Sequence, residues 1–144
     1  MTLYLDTSSL VKLYVDEPDT DAVKQLVNDA TIVATSLIAY PETRAALARR
    51  RREGALRVAA FTAAKRAFEA DWPKCLAIGV SASVCREAGE LAERYRLRGY
   101  DSVHLASFAE VVRHAGAAET RFSSFDDPLN RAARSLARGL PRTM

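Results

Sequence analysis

The sequence predicts one α/β domain: a central, mostly parallel sheet of four to five strands, flanked by helices on both faces in three layers. Three observations predict it. Short apolar runs that read as buried strands alternate with longer stretches of helical periodicity. Capping and breaking residues stand at the junctions. No repeat, low-complexity segment or linker interrupts the pattern, and 144 residues suit a single domain.

In chain order, the first strand is expected at about 3–6, where Leu3-Tyr4-Leu5 is followed by Asp6. Helical signals follow over 8–15 and 19–28. Thr31-Ile32-Val33-Ala34-Thr35 is a β-branched run and reads as the second strand. Ser36 suits the N-cap of a helix reaching Arg52, with Pro41 early in it and Gly54 ending it. A further helix at 55–71 carries Phe61, Ala64, Phe68 and Trp72 at core-facing spacing, and Pro73 stops it. The third strand is expected at 75–80. Ser81 then caps a helix with Val84, Ala88, Leu91 and Tyr95 on one face, and Gly99 breaks it. The next helix spans 101–114, the fourth strand 120–125, and the last helix 128–138 with Gly139 as C-cap. The tail after Gly139 is short for a further edge strand.

The composition is 49% hydrophobic and 27% charged, which excludes a disordered chain. No run approaches the ~20 apolar residues of a membrane span, and the N-terminus lacks a signal-peptide pattern, so a cytoplasmic protein is expected. Cys75 and Cys85 have no metal-binding spacing and read as core thiols. Net charge is only +3, but Arg44, Arg49, Arg50, Arg51, Arg52, Arg57, Lys65 and Arg66 are concentrated in one stretch. Such a run is either a solvated helix end or a surface that follows phosphates.

The chemistry lies in the acids. Asp6 ends an apolar strand, where an uncompensated carboxylate is expensive. Asp126 follows the fourth strand, and Glu42 sits early in the helix leaving the second. In an open parallel sheet, functional groups gather beyond the carboxyl ends of the strands. Asp101 follows a helix, but shares a stripe with Leu105, Phe108 and Val112 that points it inward. Each acid has a plain alternative: Asp101 and Asp126 as N-caps, Glu42 as an arginine partner, Asp6 as an acceptor for free helix amides. Asp127, directly before Pro128, suits the last cap better, although Asp126 and Asp127 leave the fourth acid ambiguous by one residue. A shared cause for all four is a hard divalent cation, which prefers oxygen ligands and offsets their mutual repulsion. Such a site suits phosphodiester hydrolysis. His104 reads as a satisfied core histidine, His114 as a partner of the helix dipole, and Glu17 as a loop residue. The tyrosines, Tyr100 included, read as core and groove residues.

Leu5-Asp6-Thr7-Ser8 with Leu10-Val11-Lys12, Ser36 with Glu42, Ala46 and Leu47, Leu97-Arg98-Gly99-Tyr100-Asp101-Ser102-Val103-His104-Leu105-Ala106, and Ser123-Ser124-Phe125-Asp126 with Leu129, Ala132 and Ala133 occur in that order. In that order and spacing the chain resembles the PIN-domain ribonucleases, specifically the VapC-type toxins of bacterial toxin–antitoxin pairs. The resemblance implies a PIN fold over nearly the whole chain and cleavage of RNA dependent on Mg²⁺, with Mn²⁺ able to substitute. It carries catalytic and metal-site roles to Asp6, Glu42, Asp101 and Asp126, and supporting roles to Ser8 and Ser124. It also implies a homodimer or toxin–antitoxin hetero-oligomer, with an antitoxin peptide lying across a groove walled by the helices at 36–52 and 55–71. Arg49, Arg50, Arg51 and Arg52 are then candidate RNA contacts.

Two other classes compete. Haloacid-dehalogenase-type phosphatases also begin with Asp after a first strand, but require a second Asp two residues on, where this chain has Ser8. A PIN-like module that binds RNA or protein without cleaving is the non-enzymatic alternative; it has no need of the complete acidic quartet.

Overall fold

The computed structural model describes residues 1–140. Four strands, β1 (Thr2–Leu5), β2 (Ile32–Ser36), β3 (Leu76–Ile78) and β4 (Thr120–Ser123), form one parallel sheet in the order β3-β2-β1-β4. The helices are α1 (Thr7–Val11), α2 (Thr20–Asp29), α3 (Ala39–Arg52), α4 (Val58–Asp71), α5 (Ala82–Tyr95), α6 (Gly99–Ala115) and α7 (Asp127–Gly139). β1 is central, pairs on both sides, and is buried along its whole length, as its continuous apolar run requires.

The alternation of β1 sorts the core into layers. Leu3 and Leu5 pack with Leu10, Val23, Ala39 and Phe68 from α1 to α4. Tyr4 faces the other way, into a cluster with Leu105 and Phe108 of α6, Leu91 of α5 and Leu129 of α7. The three-layer α/β/α architecture predicted from sequence is therefore present, with four strands among the described residues. The segment in which a further edge strand was considered begins at Leu140 and lies almost wholly outside them. Among the described residues no helix is long and apolar enough to cross a membrane.

Several boundaries differ for identifiable reasons. Ser36 is not the cap of α3: it ends β2, in register with Ile78, and its hydroxyl accepts from the Ile38 amide at 3.3 Å. Ladder pairing takes the residue that propensity assigned to a cap. α3 starts at Ala39, so Pro41 falls in its first turn, where a missing amide costs nothing. α4 starts at Val58, three residues beyond expectation, because Gly54 at φ +79 and the turn it makes consume the intervening chain. Gly99 opens α6 instead of breaking the chain before it, and Gly139 lies inside α7, whose C-cap is Leu140. Cys85 is exposed on α5, not a core thiol; Cys75 is half-buried.

The last helix corrects one assignment with a consequence. Asp126, not Asp127, is the N-cap of α7: its Oδ1 accepts from the Leu129 amide at 2.9 Å, and Asp127 occupies the first helical position. Asp126→Ala is therefore expected to lower stability by about 1 kcal/mol and Asp127→Ala by clearly less. Urea unfolding midpoints of the two variants check this; equal losses would remove the cap from Asp126.

Candidate active site

β1 and β4 are neighbours, yet the chain leaves them toward opposite faces, into α1 and α7. This is the crevice in which an open parallel sheet places its functional groups. Asp6 stands at its floor as the N-cap of α1, only 4% exposed. Its Oδ1 accepts from Ser8 Oγ (2.7 Å) and the Ser9 amide (3.1 Å), and its Oδ2 from Ser124 Oγ (2.6 Å). All three donors are neutral. Burial outweighs them and pushes the Asp6 carboxyl above its usual range. The molecule therefore fixes both oxygens of a carboxylate that it does not neutralise.

Ser8 and Ser124 knit the crevice together. Ser8 Oγ also accepts from the Phe125 amide at 2.9 Å, and Ser124 Oγ accepts from the Asp126 amide at 3.0 Å. Asp126 is thereby tied to Asp6 through one hydroxyl. Across the opening, the Arg98 guanidinium reaches Asp101 (3.1 Å) and Asp126 (3.8 Å), so these two carboxylates straddle a single positive charge. Arg98 is 84% exposed, and such exposed pairs contribute little stability. Its placement shows instead that the two acids share a cation.

Glu42 is held separately. It lines an open cleft with Arg98, Gly99, Tyr100, Asp101 and Val103, and its Oε1 accepts from Thr7 Oγ1 (2.7 Å) and His104 Nε2 (2.9 Å). Burial pushes its carboxyl up, but the His104 and Thr7 bonds outweigh burial and hold it below the usual range. All four acids thus lie at the carboxyl edge of the sheet, as their chain positions suggested. They do not form a closed cage: among the described residues no three of His, Cys, Asp and Glu group as a ready-made metal site. The donor chemistry nevertheless fits a hard ion. Mg²⁺ takes one or two protein carboxylates and fills its remaining positions with water and substrate phosphate. Asp101 with Asp126, beside the unneutralised Asp6, meets that requirement.

A model of the PIN-domain family matches residues 3–135. The chain belongs to the PIN-domain family. Ribonuclease VapC45 and Ribonuclease VapC49, both of Mycobacterium tuberculosis, are each 37% identical to it over 109 residues, covering 76% of this chain and 76% of each relative. At that coverage the chain is a PIN domain of the VapC type. The crystal structure of M. tuberculosis VapC20, described as a Sarcin-Ricin loop cleaving toxin, matches with a TM-score of 0.63 at 21% identity. It covers 90% of this chain and 94% of that one, and so supports the fold.

Two features of this PIN domain escaped the sequence reading. His104 is buried, as expected of a core histidine, but one ring nitrogen bonds Glu42 and the other bonds Tyr4 Oη at 2.8 Å. Because a carboxylate only accepts, Nε2 carries the proton toward Glu42, and Nδ1 of the neutral ring accepts from Tyr4. Burial raises the Tyr4 hydroxyl well above its usual value, which keeps that proton in place. The available signal was spacing: His104 lies one helical turn from Asp101. The second is Arg98, the cap position of α6, whose role depends on two acids distant from each other in sequence.

The basic run divides by partner. Arg44 is bonded to Glu69 at 2.8 Å, and Arg50 to Glu17 at 2.6 Å. Arg51 stacks over the Phe61 ring at 5.3 Å. Arg49 contacts Glu53 only at 3.9 Å and is 72% exposed, and Arg52 is also exposed. Tyr100, expected in the core or groove, is 69% exposed, since it sits on the outward side of the first turn of α6.

Proposed function

We propose that this PIN domain is a divalent-ion-dependent endoribonuclease that hydrolyses RNA phosphodiester bonds and acts as the toxin of a toxin–antitoxin pair in the cytoplasm. The observation that carries the reading is Asp6: a buried carboxylate with both oxygens fixed and no cationic donor, beside two acids that already share a guanidinium. The names of the M. tuberculosis relatives support the choice of RNA as substrate.

In this reading Asp6, Asp101 and Asp126 hold the ion, Mg²⁺ or Mn²⁺, and Glu42 completes the acidic wall. A bound ion supplies counter-charge for the phosphoryl oxygens and acidifies water for in-line attack. Ser8 and Ser124 keep Asp6 oriented and set the position of Asp126. Arg98 is released from its two carboxylates when a divalent ion supplies their counter-charge. Arg49 and Arg52 are the members of the basic run best placed to meet RNA phosphates, whereas Arg50 is committed to Glu17 and Arg51 to Phe61. A cognate antitoxin peptide crosses the groove beside α3 and α4, in a homodimer or toxin–antitoxin hetero-oligomer.

Incubation of the purified chain with single-stranded and structured RNA should give cleavage with Mn²⁺, none with excess chelator, and recovery when Mg²⁺ is restored. Cleavage that survives the chelator would remove the ion from the reading. The lack of a closed cage favours a second reading, a non-catalytic RNA- or protein-binding module. RNA binding without cleavage in any divalent ion would select it.

A further inference from the structure

We propose that Tyr100 and Phe125 are base-stacking platforms on either side of the acidic crevice, so that this chain accepts unpaired RNA and discriminates against duplex. The inference rests on the ribonuclease reading above and specifies its substrate class.

Six large hydrophobic side chains are exposed among the described residues: Ile32, Leu37, Val58, Leu76, Tyr100 and Phe125. Only two are aromatic, and each immediately precedes a carboxylate of the crevice, Asp101 or Asp126. Other aromatic side chains are spent internally. Tyr4 stacks with Phe122, Tyr14 and Tyr40 pack on Phe68, and Trp72 and Phe108 join the same two clusters. Tyr100, at 69% exposure, pairs with no ring and makes no hydrogen bond among the described residues; its cleft is shared with Glu42, Arg98 and Asp101.

Phe125 is fixed in advance. Its amide is held by Ser8, and one ring face is covered by the Lys12 ammonium at 4.6 Å. Lys12 is itself held by Glu17 at 3.2 Å and by the Pro18 carbonyl at 3.0 Å. The ring is still 43% exposed, so a face or edge remains for a ligand with little ordering left to lose. Between the rings lie Asp101, the Arg98 guanidinium and Asp126 in one chain of contacts. The resulting order is ring, acid, cation, acid, ring.

A single strand matches that order, with phosphate at the charged centre and splayed bases on the rings. Every base has a stacking face, so the platform tolerates any sequence. An A-form duplex keeps its bases stacked on one another and presents only their edges and its backbone. The rings do not suit a protein surface either, because charges separate them and they form no contiguous apolar patch.

The test is anisotropy of a labelled, unpaired RNA oligonucleotide, and of the same strand annealed to its complement. Calcium serves as the divalent ion, and the chains are wild type, Tyr100→Ala, Tyr100→Phe, Phe125→Ala and Phe125→Leu. Wild type should prefer the single strand. Each alanine variant should weaken single-strand binding about tenfold while leaving duplex binding and the thermal midpoint unchanged. Tyr100→Phe should bind like wild type; Phe125→Leu, which keeps apolar volume without a π face, should not. Equal losses on both RNAs, no loss in the alanine variants, or rescue by leucine would each overturn the proposal and leave the ribonuclease reading standing. A wild-type chain that binds neither RNA would overturn both.

Discussion

Asp6→Asn is expected to abolish Mn²⁺-dependent cleavage while leaving the ion-free protein as stable as wild type or more so. The amide keeps the shape of the carboxyl. Its carbonyl can still accept from Ser8 Oγ and the Ser9 amide, and its NH₂ meets Ser124 Oγ, a hydroxyl able to accept. What disappears is a charge that burial makes costly. The sign follows from the direction of that shift. With the folded value raised, Asp6's contribution to stability is full below the unfolded carboxylate range, about 4, and is lost as pH climbs through the raised value. The ion-free wild type should therefore lose stability relative to Asp6→Asn across that window. Added Mn²⁺ reverses the order, because only wild type gains the stabilisation of a bound ligand. Thermal melts with and without Mn²⁺, beside an RNA cleavage assay, measure both halves. An Asp6→Asn protein that cleaves RNA, or that Mn²⁺ stabilises as much as wild type, would take Asp6 out of the site.

What the sequence disclosed follows the range of the interactions involved. β1 was legible because burial on both faces demands the unbroken run Leu3-Tyr4-Leu5, and α7 because Leu129, Ala132, Ala133 and Leu136 keep helical spacing. The edge positions of Asp6 and Asp126 followed from strand ends alone. The start of α3 was misplaced because Ser36 pairs with Ile78 of β3, forty-two positions away, and local propensity does not register such a partner. Asp126 and Asp127 were confused because both precede the same helix and only geometry selects the acceptor. Tyr100 and Cys85 were assigned inward because side-chain type alone does not reveal which face of a helix is covered. The Tyr4–His104–Glu42 chain was invisible as a unit, since its members come from β1, α6 and α3.

That buried chain gives the second large effect. His104→Phe keeps an aromatic ring in the core but removes both nitrogen contacts, leaving the Tyr4 hydroxyl and Glu42 Oε1 each short of a partner. Two groups stranded in this way should cost about 2–4 kcal/mol at neutral pH. The pH dependence separates a polar role from packing. In wild type the His104 and Thr7 bonds hold Glu42 below its usual range, so its contribution to stability is present above the unfolded value, about 4.3, and fades as pH falls through the lowered folded value. Without His104, burial is the larger influence and the carboxyl moves up, so ionised Glu42 becomes a liability at neutral pH. The gap between wild type and His104→Phe should therefore narrow below about pH 4, leaving the Tyr4 share of the loss. Cleavage should fall about 10–100-fold, the usual effect of removing the group that orients a site carboxylate. Denaturant midpoints at neutral and acid pH, with RNA cleavage at neutral pH, measure these effects. A stability gap that is the same at both pH values would reduce His104 to a filler between α6 and β1. Unchanged cleavage would free Glu42 from needing it.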